Sequence, residues 1–426
     1  MVANYRKRIM DDIIEKRLRN KGAILLEGAK WCGKTTTCEQ HAASIIYMSD
    51  PDRVQQNLQL ADISPRALLQ GQTPRLLDEW QIAPKLWDAI RFEVDHRDGF
   101  GLFLLTGSSV PADTAEQHHS GTGRFAWLRM RPMSLFESGE STGMVSLSSL
   151  FSDSKQQIFA ENHLSLDDIT FLICRGGWPQ STKLTGEDAL VQSFDYVDAI
   201  VREDISRVDH VKRDELRARL LLRSYARHQG TAAPYTTIRE DIASNDASDL
   251  SEDTIMAYAK ALRRIFVIED CPAWNPNLRS KTAIRTSDTR YFVDPSIATA
   301  ALGIGPGDLV NDLNTCGLLF ETMCIRDLRI FADWLGGEIR HFRTKEGLEC
   351  DAVLHLKNGS YGLIEIKLGG DNLIEEGAAT VKTIADKIDT TKMKAPSFMM
   401  VLTGTSPYAF RRDDGVYVVP IGCLRP

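Results

Sequence analysis

Apolar runs in this chain are short, and most end in a polar or glycine-rich break, the pattern of buried strands feeding loops. Ala23 to Leu26, the centre of PRLLDEW and the run in GLFLLTGSS read as three such strands. Farther on the period becomes helical. Leu216 to Ala226 repeats apolar residues at helical spacing, TTIREDIA offers a second short helix, and Ser251 caps a third that continues into a strand. Helix, short helix, capped helix, strand is the order of a winged helix-turn-helix.

Toward the C-terminus the period falls to two. Leu348 to Gly370, LECDAVLHLKNGSYGLIEIKLGG, reads as a β-hairpin about a turn carrying Asn358 and Gly359. Alternation puts Glu365 and Lys367 on one face and Ile364 and Ile366 on the other. A helix, CGLLFETMCIRDL, with Glu321 on its inner face, and a strand-like EIRHFRT precede it. SFMMVLTG and GVYVVPIGCL add two strands that close the sheet. In the YAFRRDDG connection between them, Arg411 and Arg412 either touch a phosphate backbone or line a loop.

Length and composition narrow the class. At 426 residues the chain exceeds one typical core and implies about two to four domains. With 43% hydrophobic and 26% charged residues it has the composition of a soluble globular protein. No apolar run approaches a membrane span, and the N-terminal segment is charged where a signal peptide needs an apolar core, so a cytoplasmic location is expected. Eight cysteines without a CxxC pair read as free thiols, neither a zinc site nor a disulfide frame. The net charge of −7 gives no global attraction to nucleic acid, so any such contact needs a local basic surface.

The sharpest chemistry lies in AILLEGAKWCGKTTT. Gly28, Gly33, Lys34 and Thr35 fit GxxxxGK[ST], between a strand and the threonines, Thr36 among them, that open a helix. Glycines let backbone N–H groups close around phosphates, the lysine reaches the terminal phosphates, and the threonine hydroxyl suits Mg²⁺. ATP and Mg²⁺ are the expected cofactors. PRLLDEW then ends in Asp78, placed for the Mg²⁺ shell, and Glu79, placed to orient the attacking water. GLFLLTGSS ends in Thr106 and Ser108, where a polar residue can sit beside a γ-phosphate. An ordinary strand ending in a polar turn would look the same.

GAKWCGKTTT, RLLDEWQ, LLTGSS, GRFAWLRMRPMSLFE and RGGWPQ resemble, in order and spacing, the prokaryotic AAA+-like ATPases with a C-terminal domain called DUF4143, over nearly the whole chain. Where that family shows an arginine and a polar residue, this loop has Lys30 and Trp31. The resemblance implies an α/β multidomain fold: an AAA+-like P-loop core of parallel strands (1–140), a helical lid (141–213), a winged-helix segment (214–284) and a restriction-endonuclease-like α/β domain (285–426). It implies that Arg124 reaches a γ-phosphate, in cis or from a neighbouring subunit of a homo-oligomer, with Arg129 and Arg131 as rivals. RGGWPQ reads as a structural turn.

Within that frame Glu321, Asp351, Glu365 and Lys367 reproduce the order E…D…ExK of PD-(D/E)xK nucleases. Carboxylates of that set hold one or two Mg²⁺ ions across a scissile phosphate, and the lysine polarises the attacking water or the developing charge. Two alternatives stay open: a solvated hairpin face on which the charges pair, or a nuclease fold retained for binding. In the middle region, residues 214–280 hold nine Lys+Arg and ten Asp+Glu, and the third helix opens with Glu252 and Asp253. Acids there repel phosphates, which favours a packing or protein-binding role over DNA. The expected function is therefore an ATPase coupled to a nuclease-like domain that binds or cleaves DNA or RNA. The alternative is an ATPase switch whose winged-helix and inactive nuclease-like domains bind a protein.

Overall fold

The structure, a computed structural model, describes residues 5–109, 121–153, 155–209, 211–244, 251–275 and 287–426. The chain forms two compact units. One comprises Met1–Pro132, Glu203–Arg213 and Lys260–Val267; the other comprises Met133–Arg202, Asp214–Ala259 and Ile268–Pro426.

The first unit is built on five parallel strands: β1 (Ala23–Glu27), β2 (Ser44–Tyr47), β3 (Arg75–Asp78), β4 (Phe103–Gly107) and β5 (Phe125–Arg129). Their order is β2-β3-β4-β1-β5. Continuous apolar sequence in β1 and β4 follows from burial on both faces of a parallel sheet. Leu25, Leu77, Phe103 and Leu105 pack with Trp80, Trp87 and Ile90 into one core. Because β4 lies between β1 and β3, the loops leaving these three strands open side by side at their carboxyl ends, where α/β sheets place ligands.

In the second unit a seven-stranded mixed sheet has the order β7-β12-β13-β11-β10-β9-β8. Here β6 (Val145–Ser146) pairs separately with Leu424–Arg425, while β7 is Phe159–Glu161, β8 Gly337–Arg343, β9 Glu349–Leu356, β10 Tyr361–Lys367, β11 Phe398–Thr403, β12 Tyr408–Arg411 and β13 Tyr417–Pro420. The anticipated hairpin is β9–β10, antiparallel, with Ile364 opposite Ala352 and Gly359 at φ +82° in the turn. A 23-residue helix, Leu313–Leu335, carries Glu321 and ends at left-handed Gly336. The helix Asp371–Lys387 buries Ile374, Val381 and Ile384 with Leu363 and Val401.

Two expectations are corrected. YAFRRDDG is not merely a connection: Tyr408–Arg411 is a strand paired on both sides, so Arg411 projects from a sheet. Helices Glu215–Arg227, Tyr235–Ala243 and Glu252–Arg264 appear in the expected order, but among the described residues no ladder directly follows the third. Phe266 adopts φ +59°, which interrupts extended backbone, and among the described residues isolated bridges Ile268–Phe292, Cys271–Thr289 and Ala273–His341 form in place of a ladder.

RGGWPQ is a turn, and a buried ionic cluster fixes it. Gly176 takes φ +70°, and a Cβ at Gly177 would come within 2.1 Å of the Met133 carbonyl oxygen. Gly177 N donates to Asp294 Oδ2 at 3.0 Å, and the same carboxylate pairs with Arg326, whose guanidinium also holds Asp327. Asp327 in turn accepts from Leu135 N. Every member is buried and paired, the condition under which such charges are tolerated in a core.

Candidate functional sites

After β1 the chain turns at Gly28, φ +155°, where a Cβ would strike the Met130 carbonyl oxygen at 2.1 Å. Trp31 and Gly33 follow with positive φ before the helix Lys34–Glu39 begins. Only backbone bent in this way directs successive N–H groups into one concavity. Lys34 is buried and its Nζ donates to the Ala29 carbonyl of its own loop at 2.8 Å. Thr36 follows Thr35 in the same first turn.

The helix start and the ends of β3 and β4 meet through hydroxyls. Thr35 Oγ1 and Thr106 Oγ1 each donate to Asp78 Oδ1 at 2.6 Å, and Glu79 N donates to Thr106 Oγ1 at 3.1 Å. Ser108 Oγ donates to Glu79 Oε2 at 3.0 Å. A carboxylate holding a hydroxyl at the loop's exit fits a magnesium ion, a hard cation that takes oxygen ligands.

Of the three candidate arginines, Arg124 lies elsewhere. Arg124 is exposed and holds Asp95 at 2.8 Å and the Thr122 carbonyl, partners outside this constellation. Arg129 pairs in register with Glu27 and stacks on Phe266 at 5.1 Å, while the backbone carbonyl of buried Arg131 accepts from Arg8. Two contacts were not anticipated from sequence. Lys30 Nζ lies 2.5 Å from Asp204 Oδ1, and Gln81 Nε2 donates to Glu79 Oε2.

In the second unit Asp351 sits one residue beyond the Ala352–Ile364 pair, which sets it opposite Glu365 on the next strand. Asp351 Oδ2 accepts from Ile366 N at 2.7 Å. Lys367 Nζ lies 3.0 Å from Glu365 Oε2, without hydrogen-bond geometry. Burial and the Asp351 charge push Glu365 up to about 9, against the opposing pull of Lys367. Burial works against the charge on Lys367, but Asp351 and Glu365 outweigh it and hold the ammonium above its ordinary value.

Glu321 stands apart from that pair. Tyr291 hydroxyl donates to its Oε1, and a Cβ on Gly230 would come within 3.0 Å of its Oε2. Burial of the carboxyl, then the Asp351 charge, raise it well above the carboxylate range. Among the described residues no three His, Cys, Asp or Glu side chains are grouped so as to hold a metal ion. The residues therefore suit a divalent ion as the Asp351–Glu365 pair, with Glu321 turned to Tyr291. Tyr291 was invisible in the sequence because RYFVD reads simply as an apolar run.

The parallel sheet with its phosphate-type loop defines the class of P-loop nucleotide-binding proteins. An AAA-domain family matches residues 20–138, and domains of unknown function DUF8612 and DUF4143 match residues 166–308 and 316–424. The chain thus combines an AAA domain with a C-terminal DUF4143 domain. No curated protein matches it. Among solved structures it is similar to a Walker-type ATPase of Pyrococcus abyssi, at 14% identity and TM-score 0.42, covering 70% of this chain and 96% of that one. It is also similar to a DNA polymerase III gamma subunit-related protein of Thermotoga maritima, at 10% identity and TM-score 0.21, covering 61% and 100%. No helix among the described residues is long and apolar enough to cross a membrane.

Proposed function

We propose that the chain binds and hydrolyses ATP with Mg²⁺ through the loop Gly28–Thr36, and that its C-terminal domain binds a divalent ion and nucleic acid. The observation that carries the first half is the convergence of Thr35 and Thr106 on one carboxylate oxygen of Asp78. Lys34 exchanges its bond to the Ala29 carbonyl for the terminal phosphates. Thr35 and Asp78 hold the magnesium ion, which neutralises phosphate charge when bound. Glu79 accepts a proton from the attacking water, and Ser108 stands beside it. Arg124 serves a neighbouring copy of the chain, since Asp95 holds it at the surface.

In the DUF4143 domain Asp351 and Glu365 would hold the divalent ion, and Lys367 would bear on the scissile phosphate. Glu321 joins only by releasing Tyr291. That last contact favours a second reading, in which the nuclease-like domain has become a binding module and ATP turnover switches a protein partner. The exposed acids Glu252 and Asp253 at the third middle helix suit a protein better than DNA. Incubating the purified chain with single- and double-stranded DNA and RNA, with Mg²⁺ or Mn²⁺ and with or without ATP, separates the two. Cleavage lost in Lys367→Ala supports the first; ATP hydrolysis without nucleic-acid binding or cleavage supports the second.

A further inference from the structure

Glu79 leaves β3 at φ +55° and ψ +45°, left-handed backbone that strains a non-glycine residue. Gln81, two residues on, holds its side chain. Nε2 donates to Glu79 Oε2 at 2.5 Å and lies 3.5 Å from Ser108 Oγ, which bonds the same carboxylate oxygen. Chemistry fixes the amide's direction: a carboxylate oxygen accepts, so the NH₂ end faces Glu79. The carbonyl end, Oε1, is consequently buried with no hydrogen-bond partner. It rests over Gly107, where a Cβ would stand 3.3 Å away. A buried acceptor left unpaired is destabilising. Backbone strain and an orphan acceptor thus coincide at the end of the strand that carries the candidate base.

We propose that Gln81 is a water-positioning residue for ATP hydrolysis, an inference that rests on the ATPase reading above. Its Nε2 sets the direction of the Glu79 carboxylate, and its Oε1 accepts one hydrogen bond from the attacking water. As the water oxygen bonds to the γ-phosphorus, its other proton passes to Glu79. The bond from the γ-phosphorus to the bridging oxygen breaks, and its electron pair leaves with ADP. The hydrogen held by Gln81 stays on the phosphate formed, and Glu79 releases its proton to solvent. A residue that only capped the short turn Trp80–Ile82 would affect folding, not this step.

The test uses the full chain, with ATP binding measured by calorimetry and hydrolysis by single-turnover assay. Gln81→Ala lowers kcat by about 10- to 100-fold, the effect of a misplaced reacting group, with ATP affinity within twofold of wild type. In a Glu79→Gln background the same change costs nothing further, because the two residues act as a unit. Should Gln81→Ala fail to fold, Gln81→Glu keeps the volume, removes the donor and gives the same loss. A kcat within twofold of wild type, a loss confined to KM, or an equal loss in the Glu79→Gln background overturns the role. A wild-type chain that binds no ATP overturns the underlying ATPase reading and this inference with it.

Discussion

Thr35 Oγ1 donates to Asp78 Oδ1 across 2.6 Å, joining the end of the glycine-rich loop to the end of a strand 43 residues away. The bond orients two groups of opposite use, a hydroxyl suited to a cation and a carboxylate that holds it there. Replacing Lys34 with Ala should abolish ATP binding in calorimetry, since the phosphates lose their direct charge partner. Asp78→Asn should retain ATP and raise the Mg²⁺ concentration required for turnover by about 10-fold or more. Glu79→Gln should bind ATP as wild type does and lose about 100-fold or more in turnover. Equal loss of binding in Glu79→Gln would remove the role assigned to Glu79.

Arg124 belongs to the surface, where Asp95 competes for it. If it completes a neighbouring copy's site, Arg124→Ala should bind ATP normally yet hydrolyse it slowly. Mixing that variant with Lys34→Ala chains should restore part of the activity, because each supplies what the other lacks. Absence of rescue would assign the task to an arginine acting within its own chain.

Local pattern carried much of this into view beforehand, and long-range contact carried the rest. The glycines, Lys34 and Thr35 are legible because phosphate chemistry constrains consecutive residues. Glu365 and Lys367 are legible because a strand's period is two. Gln81 and Tyr291 are not, since their partners are chosen by a turn and by packing between distant segments. Arg326, Asp327 and Asp294 show the same limit: charged residues in sequence, they are buried core, each neutralised by partners no periodicity reveals. The strand expected after the third middle helix failed at one residue, Phe266, whose left-handed backbone no propensity anticipates.

Glu365 makes stability of the DUF4143 domain depend on pH in an unusual sense. Its folded value is raised from 4.5 to about 9, so between those values the folded domain keeps a proton that the unfolded chain releases. Stability should therefore fall as pH rises through that window, the reverse of an ion-paired carboxylate. Urea unfolding of the wild type at pH 5, 7 and 9 should show a declining midpoint, and Glu365→Gln, which cannot ionise, should flatten it. A midpoint that rises from pH 5 to 9 would contradict burial as the controlling cause.

The same crowding should make the hairpin respond to metal. Asp351 and Glu365 face each other across β9 and β10, where a second ionised carboxylate is unfavourable and Glu365 keeps its proton, so a divalent ion between them would displace that proton and let both carboxylates ionise. Binding to the folded state alone stabilises by mass action, about 2.7 kcal/mol at a hundredfold excess over Kd. Mg²⁺ or Mn²⁺ should thus raise the melting temperature of Lys34→Ala protein without nucleotide, a background that silences the ATP site. Asp351→Ala should erase the rise because a ligand is gone. Lys367→Ala should preserve it, since an ammonium does not ligate a cation, while any nuclease activity disappears. Tyr291→Phe frees the Glu321 carboxyl from its hydroxyl partner and should enlarge the shift if Glu321 then joins the ion. A wild-type chain indifferent to both metals would leave Asp351, Glu365 and Lys367 as a charge pairing of the sheet, and the ATPase switch as the better account.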